Sequence, residues 1–262
     1  MLGAIVGDVV GSVYEWHQTK RKDFEPLFPE DCFFTDDSVL TVAVADALLN
    51  QHDPAEALKS WGREYPNAGY GGLFHQWLFS EEMGPYNSFG NGAAMRVSPV
   101  ALLARTLEEA LQMSDHVTAV THNHPEGLKG ARATVTAIVM AREGCSPEEI
   151  RRAIATRFGY DMDRTVDQIR PDYSFDETCQ RTVPEAILCV LEATDFEDAI
   201  RNAISLGGDS DTLGAIAGPV AEARFGLPPE IASQAWQRLD EPMQEVIAQL
   251  YARAGRPLPV DA

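Results

Sequence analysis

Two stretches of this chain, far apart in sequence, share one unusual grammar. Ser205-Leu-Gly-Gly-Asp-Ser-Asp-Thr212 sets a glycine turn before Asp209, Asp211 and Thr212, and an apolar, small-residue run follows to Ala223. Phe34-Thr-Asp-Asp-Ser38 sets Thr35, Asp36 and Asp37 before a second apolar run, Val39 to Leu49. Both read as helix N-termini, where acids and hydroxyls meet free N–H groups and the positive end of the dipole. Capping a helix needs one such residue, and here three stand together each time. Carboxylates this close repel unless a cation lies between them. The pair therefore predicts one oxygen-ligand metal site and requires the two helix starts to meet.

That requirement favours a single domain over residues 1–262 rather than two small ones. A hydrophobic content of 45% is enough for a sizeable core. The net charge of −19 argues against a nucleic-acid backbone or an anionic membrane as partner. It also burdens any anionic substrate, a burden that bound cations would lift locally. Cys32, Cys145, Cys179 and Cys189 are widely spaced without a CxxC, as expected of free thiols in a reducing cytoplasm. The N-terminus lacks a basic n-region and carries Asp8 early, so it reads as neither a signal peptide nor a membrane span.

Gly3, Gly7 and Gly11 recur at i, i+4 and i+8 in a helix over 3–14, which predicts close approach of another backbone on that face. Glu15 and Trp16 follow at its end, and 17–32 read as a loop. The helix from Val39 is apolar on nearly every side and so belongs at the centre. Another helix covers 54–64, and 65–92 lack periodicity. Gly90-Asn-Gly92 leads into an apolar helix to about Ala104; such a turn can cradle a phosphate, a weak signal alone. Further helices are expected over 107–120, from Glu126 to Arg142, from the capping box at Ser146, over Pro184–Leu191 and over Asp195–Ile204. Residues 159–182 read as a loop. Pro219 should kink or end the helix after the second acidic cluster. One or two helices fill 229–252, before a frayed, Pro-rich tail from Arg253. His122 and His124, without a third nitrogen or sulfur ligand, make a poor zinc site. No run of alternating strands is visible, so the class is all-α.

Taken in order, Gly7-Asp-Val-Val-Gly-Ser-Val-Tyr-Glu15, Phe34-Thr-Asp-Asp-Ser38, Ser88-Phe-Gly-Asn-Gly-Ala-Ala-Met-Arg96, Thr121-His122 and Gly207-Gly-Asp-Ser-Asp-Thr212 resemble the ADP-ribosylglycohydrolase family from about residue 3 to 226. The first and third motifs look most like the branch that removes ADP-ribose from serine. The resemblance implies a compact helical domain holding two divalent cations, Mg²⁺ or Mn²⁺, with Thr35, Asp36, Asp37, Asp209, Asp211 and Thr212 as ligands. It implies that Glu15, Asp36 and Asp209 carry catalysis, Glu15 being the mobile carboxylate that activates water, with metal-bound water as the competing source. Ser88, Gly90, Asn91 and Gly92 would hold the diphosphate and neighbouring ribose, Phe89 the adenosine side, and His122 the distal ribose. The partner is then ADP-ribose on a protein or small molecule. Ser38 departs from the threonine that many members carry.

Adjacent Asp36 and Asp37 point about 100° apart on a helix, so they can serve different ions. Arginine-directed bacterial relatives carry an aspartate three residues before the Asn of the Gly-Asn-Gly turn; here Ser88 stands there. That difference points to O-linked ADP-ribose, of the serine or O-acetyl type. The alternatives are the arginine linkage and a silent, crystallin-like relative, against which both intact acidic clusters argue.

Overall fold

The computed structural model describes residues 1–260. The helices run in chain order: α1 Leu2–Gly11, α2 Asp36–Asn50, α3 Pro54–Glu64, α4 Gly72–Phe79, α5 Gly92–Met95, α6 Ser98–Leu103, α7 Leu107–Thr118 and α8 Pro125–Arg142. They continue as α9 Pro147–Phe158, α10 Val166–Ile169, α11 Cys179–Leu191, α12 Phe196–Ser205, α13 Ser210–Phe225, α14 Pro229–Trp236 and α15 Glu241–Arg253. Among the described residues there is no strand, only an isolated bridge between Gly90 and Thr178. No helix there is long and apolar enough to cross a membrane, and all four cysteines are unpaired. The protein is an all-α single domain around one continuous core.

At the centre lie α1 and α13, pressed together by glycine. Every residue of α1 is buried, as is α13 from Ser210 to Ala221. A Cβ on Gly7 would sit 2.0 Å from the Gly214 carbonyl oxygen, and one on Gly218 1.8 Å from that of Gly3. The predicted glycine face is thus a backbone-to-backbone seam. Its far end matters most: a Cβ on Gly11 would meet the Asp211 Cα at 2.4 Å, so the end of α1 touches the start of α13. Helices α2, α8, α11 and α12 pack around this pair.

The structure corrects several boundaries. Within the span read as irregular, 65–92, α4 forms because Phe74, Trp77 and Leu78 share a buried helical face. The single helix expected up to Ala104 is two, α5 and α6, with Pro99 in the first turn of the second. In 159–182, the short α10 has its own capping box, and α11 begins at Cys179 with Pro184 inside it. Pro219 does not end α13, which runs on to Phe225. Burial against α1, α11 and α12 outweighs the missing N–H. The tail is non-helical from Ala254 to Val260, and its last two residues lie outside those described.

Candidate active site

The seam delivers three carboxylates to one place. Asp8 points from α1, one turn before its end, and is fully buried. It accepts the Thr35 N–H at 2.9 Å, the Thr35 hydroxyl at 2.7 Å and the Ser38 N–H at 3.1 Å, together with the Ser38 hydroxyl. Asp8 is therefore the anchor of the α2 N-terminus, supplied by another helix. Thr35 in turn accepts the Asp37 N–H at 3.3 Å, and Thr212 donates to Asp37 Oδ2 at 3.1 Å across the two helix starts. The predicted meeting of the acidic clusters is realised.

The second cluster depends on its glycines. Gly207 and Gly208 have φ of +71° and +75°, which other residues adopt only with strain, and they turn the chain sharply into α13. Lys20 closes this turn, donating to the carbonyls of Leu206 and Tyr173, the latter at 2.5 Å.

Two groups of carboxylate oxygens each lie within 4.8 Å of one another: Asp8, Asp37 and Asp211, and Glu15, Asp209 and Asp211. Asp211 belongs to both. Asp37 Oδ1 and Asp211 Oδ1 are buried with no hydrogen-bond partner. Buried acceptors without donors are costly, and a hard cation is what an oxygen-only set fits. Asp36 is partly exposed on the cavity wall, its carboxylate toward Gly69 and outside both groups. Burial and mutual repulsion push Asp36, Asp37 and Asp211 well above the usual carboxylate range. Burial raises Asp8 to about 6 against the pull of its four donors. Glu15, half-buried on the loop after α1, is raised to about 7 by burial and the Asp209 charge, while a hydrogen bond from the Trp16 side chain pulls it down.

Glu15, Asp36, Asp37, Asp209 and Asp211 floor a cavity of about 530 Å³, with Asp8 buried behind them. Its other walls include Ser88, Gly90, Asn91, Gly92, Arg96 and His122, so the expected substrate residues gather here. Phe89 does not line it; the ring is exposed and packs on His124 at 5.1 Å. The Gly90 N–H is taken by Ser88 Oγ at 3.1 Å and the Asn91 N–H by the Glu177 carbonyl at 2.7 Å, so neither is free to cradle a phosphate. The Asn91 amide instead donates to Asp209 at 2.6 Å. His122 is locked in one form. Arg96, buried and able only to donate, bonds Thr121 Oγ1 at 2.6 Å and approaches His122 Nδ1 at 3.4 Å; Thr121 Oγ1 lies 2.8 Å from the same nitrogen. Nδ1 is therefore the acceptor and the proton sits on Nε2, beside Gly90 and Gly92. Burial and the Arg96 charge hold His122 well below its ordinary value, which keeps it neutral.

Sequence reasoning passed over Asp8 and Arg96 as site residues. The signal for Asp8 was present, since an acid in a fully apolar helix needs partners. Ser38, which stands where many members of the resembled family carry threonine, is one of the donors that hold Asp8.

Fold and site together define a helical protein with a carboxylate-floored cavity between two helix N-termini. The chain matches the ADP-ribosylglycohydrolase family over residues 1–258 and belongs to that family of glycosidic-bond hydrolases. It is 26% identical to the ADP-ribosylhydrolase ARH3 of Mus musculus, over 95% of this chain and 89% of that protein. It is 27% identical to the ADP-ribosylarginine hydrolase Tri1 of Pseudomonas putida (strain GB-1), over 100% of this chain and 79% of that protein. A solved ADP-ribosylglycohydrolase-related protein complex has the same fold, with a TM-score of 0.70, 22% identity and 97% of each chain covered.

Proposed function

We propose that this enzyme hydrolyses O-linked ADP-ribose, on serine or in O-acetyl-ADP-ribose-type conjugates, with two divalent cations, Mg²⁺ or Mn²⁺. Thr35, Asp36, Asp37, Asp209, Asp211 and Thr212 would hold them. The observation that carries the reading is the convergence of Glu15, Asp209 and Asp211 oxygens within 4.8 Å on the floor of a cavity where Ser88 offers no charge. When bound, the cations would supply Lewis acidity and positive charge beside the reacting ribose.

The chain's own residues do the rest. Glu15, half-buried on the cavity wall beside Asp209 and Asp211, is the carboxylate placed to accept and return a proton. It takes a proton from the attacking water as the water oxygen joins the anomeric carbon. The bond to the seryl oxygen breaks, and that oxygen takes up the proton that Glu15 received from the water, which returns Glu15 to its carboxylate. Asp36 and Asp209 face the cationic, oxocarbenium-like transition state. Asn91 orients Asp209, and the His122 Nε2–H donates toward the distal ribose. A neutral alcohol leaves, which needs no anion at position 88. A guanidinium leaving group would gain from one.

Likeness to Tri1, named for the arginine linkage, favours the second reading. Side-by-side kcat/KM on serine- and arginine-ADP-ribosylated peptides of matched sequence decides between them. Faster release from the arginine peptide would overturn the first.

A further inference from the structure

The floor of the cavity is acidic, but its mouth is apolar. Six large apolar side chains are exposed among the described residues: Trp16, Phe33, Leu73, Phe79, Phe89 and Phe175. Four of them, Trp16, Phe33, Leu73 and Phe175, line this one cavity. On a chain with a net charge of −19, such a concentration at one opening is unusual and marks a binding surface.

Its centre is an aromatic pair. Trp16, 76% exposed, follows Glu15 on the loop after α1. Phe175, 40% exposed, stands on the segment that leads into α11. Their rings stack at 6.1 Å with 23° between planes. Both supports are held. Lys20 ties the Trp16 loop to the Tyr173 carbonyl at 2.5 Å. The Phe175 segment is bonded to the Gly90 turn through Asn91 N–H to Glu177 O at 2.7 Å and Cys179 N–H to Phe89 O at 3.0 Å. The stack is thus a supported surface beside Glu15.

ADP-ribose carries its one stacking face, the adenine, at the end furthest from the distal ribose, with the diphosphate and the other ribose between them, so that face is not the one next to the glycosidic bond. Whatever the distal ribose carries must leave the floor past Glu15, and the first surface it meets is Trp16. We propose that the Trp16–Phe175 platform, flanked by Phe33 and Leu73, seats the polypeptide that bears the ADP-ribosyl group, through apolar residues next to the modified one. This rests on the reading above that Glu15 stands at the glycosidic bond. The enzyme then distinguishes modified protein from free ADP-ribose by its rim rather than by its floor.

The test is a binding measurement that needs no turnover. A peptide with leucine on either side of a non-cleavable, triazole-linked ADP-ribosyl group is compared with ADP-ribose by calorimetry, in the presence of Mg²⁺. The peptide should bind about tenfold tighter than ADP-ribose, and Phe175→Ala should remove most of that advantage. Phe33→Ser, at a second point of the rim, should lower the same ratio. Equal affinity of the two ligands for the wild type, or an equal loss for both in Phe175→Ala, would overturn the proposal. Failure of the wild type to cleave any ADP-ribosyl substrate would sink the functional reading, and the binding ratio would still be readable.

Discussion

Replacing Gly7 with alanine tests the seam on which the site depends. The added Cβ would lie 2.0 Å from the Gly214 carbonyl oxygen and 2.1 Å from its carbon. Ordinary contact starts near 3.4 Å, so the helices must part by about 1.4 Å at this point, in an interior with no slack. Alanine returns ~1 kcal/mol of helix propensity. Overpacking costs ~1–3 kcal/mol where side chains can yield, and more where, as here, the obstruction is backbone. A net loss of about 2 kcal/mol or more follows, or roughly 4–8 °C or more in the unfolding midpoint for a chain of this size. Gly84→Ala is the control, because its Cβ meets nothing within 4 Å. It should shift stability by less than ~0.5 kcal/mol. Urea unfolding of both variants with chelator present is the assay. Because parting the helices also separates Asp8 from Asp211, Gly7→Ala should need more Mg²⁺ for half-maximal turnover. If Gly7→Ala matched Gly84→Ala in stability, the backbone seam would not be what holds α1 on α13.

Asp211→Asn should abolish turnover while leaving the metal-free protein as stable as wild type or more so, since it relieves repulsion within both oxygen groups; a folded, fully active variant in chelator would refute the two-cation reading. Raised carboxyl values in the metal-free protein mean that the folded state binds protons more tightly than the unfolded chain. Stability without divalent ions should therefore fall as pH rises from about 4 to about 7, and saturating Mg²⁺ should flatten that slope; unfolding midpoints across this range check it. Ser88→Asp should raise kcat/KM on arginine-linked peptide relative to serine-linked peptide by about tenfold, the scale of one charge-assisted contact. Thr121→Val removes the hydroxyl that bonds His122 Nδ1 and should raise KM for ADP-ribosyl substrates more than it lowers kcat.

Much of this architecture is legible in the sequence because it rests on local rules. The helices from Pro54, from Glu126 and from the Ser146 capping box follow from period and caps. The glycine face of α1 announced a backbone partner without saying which, and only the fold reveals the matching Gly214 and Gly218. The acidic clusters were readable because three oxygen-bearing side chains beside each helix start exceed what capping needs. Asp8 was not read as a site residue because its donors, Thr35 and Ser38, lie in a helix start that only tertiary packing brings to it. Phe175 was assigned to a loop without a role, since its stacking on Trp16 is a contact between distant segments. Pro184 and Pro219 misled for the opposite reason: a local rule lost to burial.

On the reading proposed above, two helix starts, joined through Asp211, build one two-cation centre for cleaving an ADP-ribosyl bond. Counting bound Mn²⁺ by calorimetry while following ADP-ribose release from serine-modified peptide tests it most directly. Expected are two ions per chain, turnover that rises with the second, one ion at most in Asp37→Asn, and neither ions nor turnover in chelator. Full release with chelator present, or two ions still bound by Asp211→Asn, would contradict it.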